Sequence, residues 1–288
     1  MLSRVDAHCH LWRLDRGDYG WLDPADPGLA SIARDFEIGD LAAPCVAAGI
    51  SHSILVQAAP TVEETVYLLS LAGQSPLIAG VVGWVDLSAP EAAAQIEHFN
   101  GNRHFKGVRP MLQDLDDADW IATQPRPDAV SALQTFGLRF DALVLPQHLG
   151  ALLRFAQAYP DLPIVIDHAA KPALAASPDD PRHEMWRDGM MRLADETDAY
   201  CKMSGLLTEL STAQCADAQA NLQPVIDDLL DWFGAKRLMW GSDWPVLTLA
   251  ASHADWAALS DTLLSGLDPV GRARVFAGTA QDFYGIAA

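Results

Sequence analysis

His8 and His10 stand two residues apart at the end of a short apolar run near the start of the chain. Strand side chains alternate with period two. This spacing therefore sends both imidazoles to one side, with Asp6 below them and Cys9 opposite. Two such rings can share one cation or one polar substrate group. Taken alone, the pair fits two structural histidines better than a site. His168 ends a second apolar run, Ile164-Val165-Ile166-Asp167-His168, and on strict alternation shares a face with Ile166 and Ile164. A histidine hydrogen-bonded in a loop is an equal reading there. Asp243 ends a third run, Leu238-Met239-Trp240-Gly241-Ser242-Asp243, before Pro245 stops the strand ladder. It is placed to act as a metal ligand, a general base or both, with a helix N-cap as the plain alternative. Together, three neutral imidazoles and one carboxylate suit one divalent ion, zinc or a similar borderline cation.

Further polar groups stand at the ends of other apolar runs. Trp84 and Asp86 end one, and Arg109 ends the next, with Gln113 after it. The Arg109 fork could clamp a carboxylate or carbonyl oxygen, and an ion pair with one of the many acidic residues weighs equally. Gln147 and His148 follow a further run, where His148 either meets substrate or caps the next helix. Lys171 either holds a substrate oxygen or lies on the surface. No Walker loop, G-x-G-x-x-G turn or G-x-S-x-G elbow occurs, so no nucleotide or organic cofactor is expected.

These residues need strands to hold them. Short β-rich runs at residues 5–11, 53–57, 78–85, 106–111, 139–145, 164–169, 199–204 and 237–242 make eight strands. Between them lie helical patterns, clearest at residues 63–72, 89–99, 149–159, 185–197 and 222–233. Strands alternating with helices indicate a parallel α/β architecture. Eight such units predict a closed (β/α)8 TIM barrel, spanning residues 1–288 as one domain. In such a barrel the C-terminal strand ends carry the chemistry. Residues 12–50 form an unusually long connection that includes Trp21. It is expected to lie over the site and shape the pocket, against the alternative of a surface excursion without ligand contact.

The chain of 288 residues is 50% hydrophobic, enough for a sizeable core. Its net charge of -19, from 19 basic and 38 acidic residues, leaves no basic stripe for nucleic acid. No run is long and apolar enough to span a membrane. The stretch Met1-Leu2-Ser3-Arg4-Val5-Asp6 lacks the apolar core of a signal peptide. A cytoplasmic chain is expected, and Cys9, Cys45, Cys201 and Cys215, which form no C-x-x-C pair, fit reduced thiols there. Self-association into a homo-oligomer is left open.

The chain resembles the amidohydrolase superfamily, and within it the amidohydrolase-2 group of sugar lactonases, near L-fuconolactone and L-rhamnonolactone hydrolases. The matching stretches run from His8 to about Tyr284. They are Asp6-Ala7-His8-Cys9-His10-Leu11-Trp12, Val82-Gly83-Trp84-Val85-Asp86-Leu87, Phe105-Lys106-Gly107-Val108-Arg109, Asp167-His168-Ala169-Ala170-Lys171-Pro172, Cys201-Lys202-Met203-Ser204-Gly205-Leu206 and Gly241-Ser242-Asp243-Trp244-Pro245. The resemblance implies a distorted (β/α)8 barrel with His8, His10, His168 and Asp243 at the reaction centre. Arg109 stands where better-known members carry a metal-bridging lysine or glutamate, which argues against two metals. Pro110 replaces a histidine that many relatives have, a departure that bears on substrate contact at that position.

The resemblance further implies hydrolysis of a sugar-acid lactone to the open aldonic acid. Asp243 would serve as base. The three histidines, with or without a zinc-like divalent ion, would polarise the carbonyl. Arg109, Lys171, Gln113 and His148 would meet substrate oxygens, and Trp84, Trp21 and Trp244 would wall the pocket. Two rivals remain on sequence grounds. One is a metal-dependent decarboxylase of an aromatic or unsaturated acid, and the other a non-catalytic sugar-acid binding protein.

Overall fold

Residues 4–287 are described, in a computed structural model. Met1, Leu2 and Ser3 of the N-terminal stretch lie outside them. Eight parallel strands form one sheet in chain order. They are β1 (Arg4–Cys9), β2 (Ile50–Val56), β3 (Ile78–Gly83), β4 (Phe105–Val108), β5 (Arg139–Ala142), β6 (Ile164–Ile166), β7 (Tyr200–Met203) and β8 (Leu238–Trp240). Each expected strand is present, and all eight end short of the expected C-terminal bound. The residues beyond leave the ladder because they form the loops that carry the polar side chains.

The five expected helices are present as Val62–Ala72, Ala92–Asn100, Leu149–Ala158, Pro181–Glu196 and Ala218–Arg237. Local chemistry starts them: Thr61 accepts from the Glu64 N–H, and Asp180 caps a helix whose first residue is Pro181. Ile38–Ala48, Pro127–Thr135 and His253–Leu263 are further helices not singled out above. Pro44 inside Ile38–Ala48 blurs its sequence signal.

Side chains of the sheet divide between two packed clusters. Val5, Ala7, Ile54, Val56, Val82, Val165 and Met239 fill the barrel interior. Leu55, Val81, Ile164, Ile166, Cys201, Met203 and Trp240 pack outward with the helices. Phe283 and Tyr284 belong to the interior cluster. Their helix, Thr279–Tyr284, closes the end of the barrel opposite the loops that follow the strands, where Lys106 Nζ donates to Gly285 O at 3.4 Å.

The seam between β8 and β1 has no regular ladder. The strands meet at one parallel bridge, Cys9 with Trp244, supported by Asp243 N–H to His8 O at 2.8 Å and His10 N–H to Trp244 O at 2.7 Å. The barrel is thus distorted but nearly closed. Strict alternation fails in β1. Its register against β2 shifts between Asp6 and Cys9, so an extra residue is accommodated. Asp6 therefore does not lie below the histidines. It faces the outer layer, 3.2 Å from His253 Nε2.

Among the described residues no helix is long and apolar enough to cross a membrane. The four cysteines are free, with Cys9, Cys45 and Cys201 buried and Cys215 exposed.

Candidate active site

Asp243 follows β8 with φ 62, in the left-handed region. Its Oδ1 is the point on which three imidazoles converge. His10 Nε2 lies 3.1 Å away, His8 Nε2 3.7 Å and His168 Nε2 3.8 Å. All four side chains are buried. Burial alone would raise Asp243, but His168, the hydrogen bond with His10 and the charges of His8 and His10 bring its carboxyl below the usual range. It is a carboxylate at neutral pH.

His168 reaches this point by a route that alternation does not describe. Val165 packs inside the barrel and Ile164 and Ile166 pack outside. His168 therefore does not share a working face with the two isoleucines. Four consecutive left-handed residues, His168, Ala169, Ala170 and Lys171 (φ 53, 48, 57 and 50), swing the ring into the site. Left-handed backbone costs about 1–2 kcal/mol per non-glycine residue, and the surrounding structure must hold it. Ser204 Oγ lies 3.0 Å from His168 Nδ1. Gly205, at φ +64, leaves room for the ring, since a Cβ there would come within 2.6 Å of Nδ1. Burial lowers His168 to about 4, so it is neutral at pH 7.

His10 donates from Nδ1 to Val56 O at 2.8 Å. Its Nε2 lies 3.2 Å from His8 Nε2 and 3.1 Å from Asp243 Oδ1, a spacing that needs a proton or a cation between the ring and the carboxylate. The ligand atoms of His8, His10 and Asp243 all lie within 4.8 Å of one another, as do those of His8, Asp167 and His168. This donor set fits one divalent ion.

Beneath His8 runs a buried set of charges. Lys202 Nζ contacts Asp141 Oδ2 at 2.6 Å, Asp167 Oδ1 at 2.9 Å and His8 Nδ1 at 3.1 Å. Tyr284 donates its hydroxyl to Asp141 Oδ2 at 2.8 Å. Arg109 Nη1 is 3.5 Å from Asp167 Oδ2, and its Nη2 donates to Gln57 O. Burial opposes the charge on Lys202, but Asp141 and Asp167 hold its pKa above the ordinary lysine value. Burial also works against ionised Asp167, and Lys202, His8 and Arg109 outweigh it, holding Asp167 well below the usual carboxylate range. Burial keeps His8 well below the ordinary imidazole value, against the pull of Asp167.

A cavity of about 160 Å³ opens above these groups. It is lined by His10, Trp21, Arg109, Gln113, His168, Lys171 and Asp243, with Ala58, Met111, Leu143 and Val246. Trp21 comes from the long connection after β1, and its indole N–H donates to Ala58 O at 2.8 Å. His8 is fully buried behind this lining, its Nε2 3.2 Å from His10 Nε2. Trp84 and His148 do not line the cavity. Trp84 is anchored through its backbone to the Thr65 hydroxyl. His148 Nδ1 accepts from the Leu145 N–H at 2.9 Å, which is the local helix-start role. Trp244 is likewise outside, packed edge-on against Phe36 with centroids 5.1 Å apart.

The sequence reading assigned no role to Asp141, Lys202 or Ser204. A signal existed for the first two: a charged residue in mid-strand, flanked by apolar neighbours in Phe140-Asp141-Ala142 and Cys201-Lys202-Met203, must find a buried partner.

A family model described as amidohydrolase matches residues 5–286. The chain is 43% identical to an L-fucono-1,5-lactonase of Burkholderia ambifaria, with 99% of this chain and 97% of the relative covered. It is 36% identical to an L-fucono-1,5-lactonase of Burkholderia multivorans, covering 98% and 96%. A crystal structure of an amidohydrolase from Burkholderia multivorans with bound zinc superposes at a TM-score of 0.87, with 34% identity over 99% of each chain.

Proposed function

The chain belongs to the amidohydrolase family, and from that premise we propose that it opens a sugar-acid lactone to the free aldonic acid by attack of water on the lactone carbonyl. The observation that carries this reading is the meeting of three Nε2 atoms and one ionised carboxylate on a small cavity that Arg109 and Lys171 also line. The curated lactonase relatives support the same substrate class.

Asp243 is the base that takes the proton from the attacking water. Histidine N–H groups of the cluster polarise the carbonyl and hold the tetrahedral oxyanion. Arg109, Lys171 and Gln113 orient hydroxyl and carbonyl oxygens of the sugar, and Trp21 supplies an apolar wall. A divalent ion, zinc by its donor set, would be held by His8, His10, His168 and Asp243, and when bound it supplies Lewis-acid polarisation and a lower water pKa. Lactones are activated relative to amides, so the residues themselves can support the reaction without it.

The test is a turnover screen across aldonolactones, read by acid release, with L-fucono-1,5-lactone included. Acid release with saturation kinetics is expected. Carbon dioxide release from aromatic acids without lactone turnover would replace this reading with a decarboxylase. Tight lactone binding with no turnover would replace it with a binding protein.

A further inference from the structure

Glu64 stands at the third position of the helix Val62–Ala72, whose N-cap is Thr61. A glutamate there ordinarily reaches back to the N–H of the N-cap residue. In this chain the Thr61 N–H is already bonded to Ala59 O at 2.8 Å. The Glu64 carboxylate reaches further back, into the loop after β2. Its Oε2 accepts from the Ala59 N–H at 2.7 Å and from the Ala58 N–H at 3.0 Å, and its Oε1 lies 3.1 Å from the Ala58 nitrogen. Glu64 is fully buried. An ionisable group is a costly way to satisfy two amides, and burial pushes its pKa up to about 7.

The two N–H groups belong to two successive trans peptides, Gln57–Ala58 and Ala58–Ala59. Such a unit is planar, with its N–H and C=O on opposite edges. Glu64 holds the N–H edge of each. The opposite edges hold the cavity. Arg109 Nη2 donates to Gln57 O, and the Gln57 side-chain amide donates back to Arg109 O at 2.6 Å. The Trp21 indole N–H donates to Ala58 O at 2.8 Å. Arg109, Trp21 and Ala58 all line the cavity. One carboxylate thus stands behind the two carbonyls on which a charged wall group and an aromatic wall group hang.

We propose that Glu64 is a positioning residue for substrate binding: by holding the N–H edges of these two peptides it fixes their carbonyls, and through them the Arg109 guanidinium and the Trp21 indole. Glu64 itself does not line the cavity, so it acts only through these neighbours. The long connection has a separate anchor, because Asp18 accepts from the Thr61 hydroxyl at 2.8 Å, three residues before Trp21. Loss of Glu64 therefore frees the two peptides without detaching that connection.

The test compares Glu64→Ala with Glu64→Gln, which keeps one carbonyl oxygen for the two N–H groups. Hydrogen exchange at the Trp21 indole N–H is followed by NMR of tryptophan-labelled protein, its signal assigned by its loss in Trp21→Phe. Turnover of L-fucono-1,5-lactone is measured at one fixed pH, and this kinetic part rests on the lactonase reading. In Glu64→Ala the Trp21 N–H is expected to exchange at least about tenfold faster, as a locally opened segment would. KM is expected to rise at least about fivefold while kcat stays within about threefold. Glu64→Gln is expected to return both readouts toward wild type. A folded Glu64→Ala variant with wild-type exchange at Trp21 would overturn the proposal, as would a fall in kcat at unchanged KM, or a Gln variant as impaired as the Ala variant. If Glu64→Ala does not fold, the wild-type chain decides. There the Ala58 and Ala59 amides and the Trp21 indole are expected to share one opening equilibrium, with protection equal within about threefold. An indole protected at least about tenfold less than both amides would overturn the proposal. The exchange readout needs no substrate, so a failure of lactone turnover and a failure of this assignment are separate results.

Discussion

Ser242 is bound to Asp6 twice, its backbone N–H donating to Oδ1 at 2.8 Å and its hydroxyl to Oδ2 at 2.5 Å. Asp6 Oδ1 also accepts from the His8 N–H at 3.2 Å. One buried carboxylate thus joins β1 to the end of β8 where the strand ladder is missing, between the residues that carry His8 and Asp243. Asp6→Ala should destabilise the fold by about 3 kcal/mol, because it leaves several buried donors unpaired. It should also lower kcat at least about tenfold by loosening two groups of the site. Urea denaturation and turnover at saturating lactone check both. A variant as stable and as active as wild type would show that the seam does not need the carboxylate.

Asp243→Asn should keep the fold and reduce kcat by at least about 100-fold, the scale of a lost general base. The expectation comes from its position at the convergence of the three imidazoles. Circular dichroism verifies the fold. Near-normal turnover in the folded variant would remove Asp243 from the chemistry.

Arg109 lines the cavity and also faces buried Asp167. Arg109→Ala should therefore raise KM more than it lowers kcat. It should also cost stability, on the order of 3 kcal/mol, for leaving part of a buried ion network unpaired. Kinetics that do not change while stability falls would confine the residue to the network.

Glu64 is fully buried and accepts the N–H groups of Ala58 and Ala59, at 3.0 and 2.7 Å from Oε2. Burial pushes its pKa up to about 7, from an ordinary value of 4.5. Between those values the folded chain keeps a proton that the unfolded chain has released. The stability this group contributes is full below about pH 4.5 and is lost as pH rises through 7, by roughly 3 kcal/mol. Glu64→Gln should accordingly gain on wild type between pH 4.5 and 7.5 in denaturation experiments. A stability difference that does not vary with pH would contradict the raised value. The effect falls on the cavity wall, since Ala58 lines it and holds Trp21.

Stripping the protein with a chelator, with metal content verified by elemental analysis, should leave most lactone turnover in place. A lactone has a better leaving group than an amide and needs less activation than metal-bound water provides. Activity that disappears with the metal and returns stoichiometrically with zinc would instead establish zinc as a catalytic cofactor.

The barrel was legible in the amino-acid sequence because its signal is local. Apolar runs of strand length recur between helical patterns, and nothing distant is needed to see them. His8, His10 and Asp243 stood out for the same reason, as polar residues that end apolar runs. Three-dimensional closure decided the rest. The extra residue in β1 turned Asp6 outward to His253, and the left-handed turn from His168 to Lys171 replaced alternation with a path of its own. Neither is encoded in a period of two. Lys202 and Asp141 announced in sequence only that each needed a partner. That Lys202 finds Asp141, 61 residues away, and His8, 194 residues away, follows from barrel closure, which lets the alternate strands β5, β7 and β1 aim side chains into one interior layer.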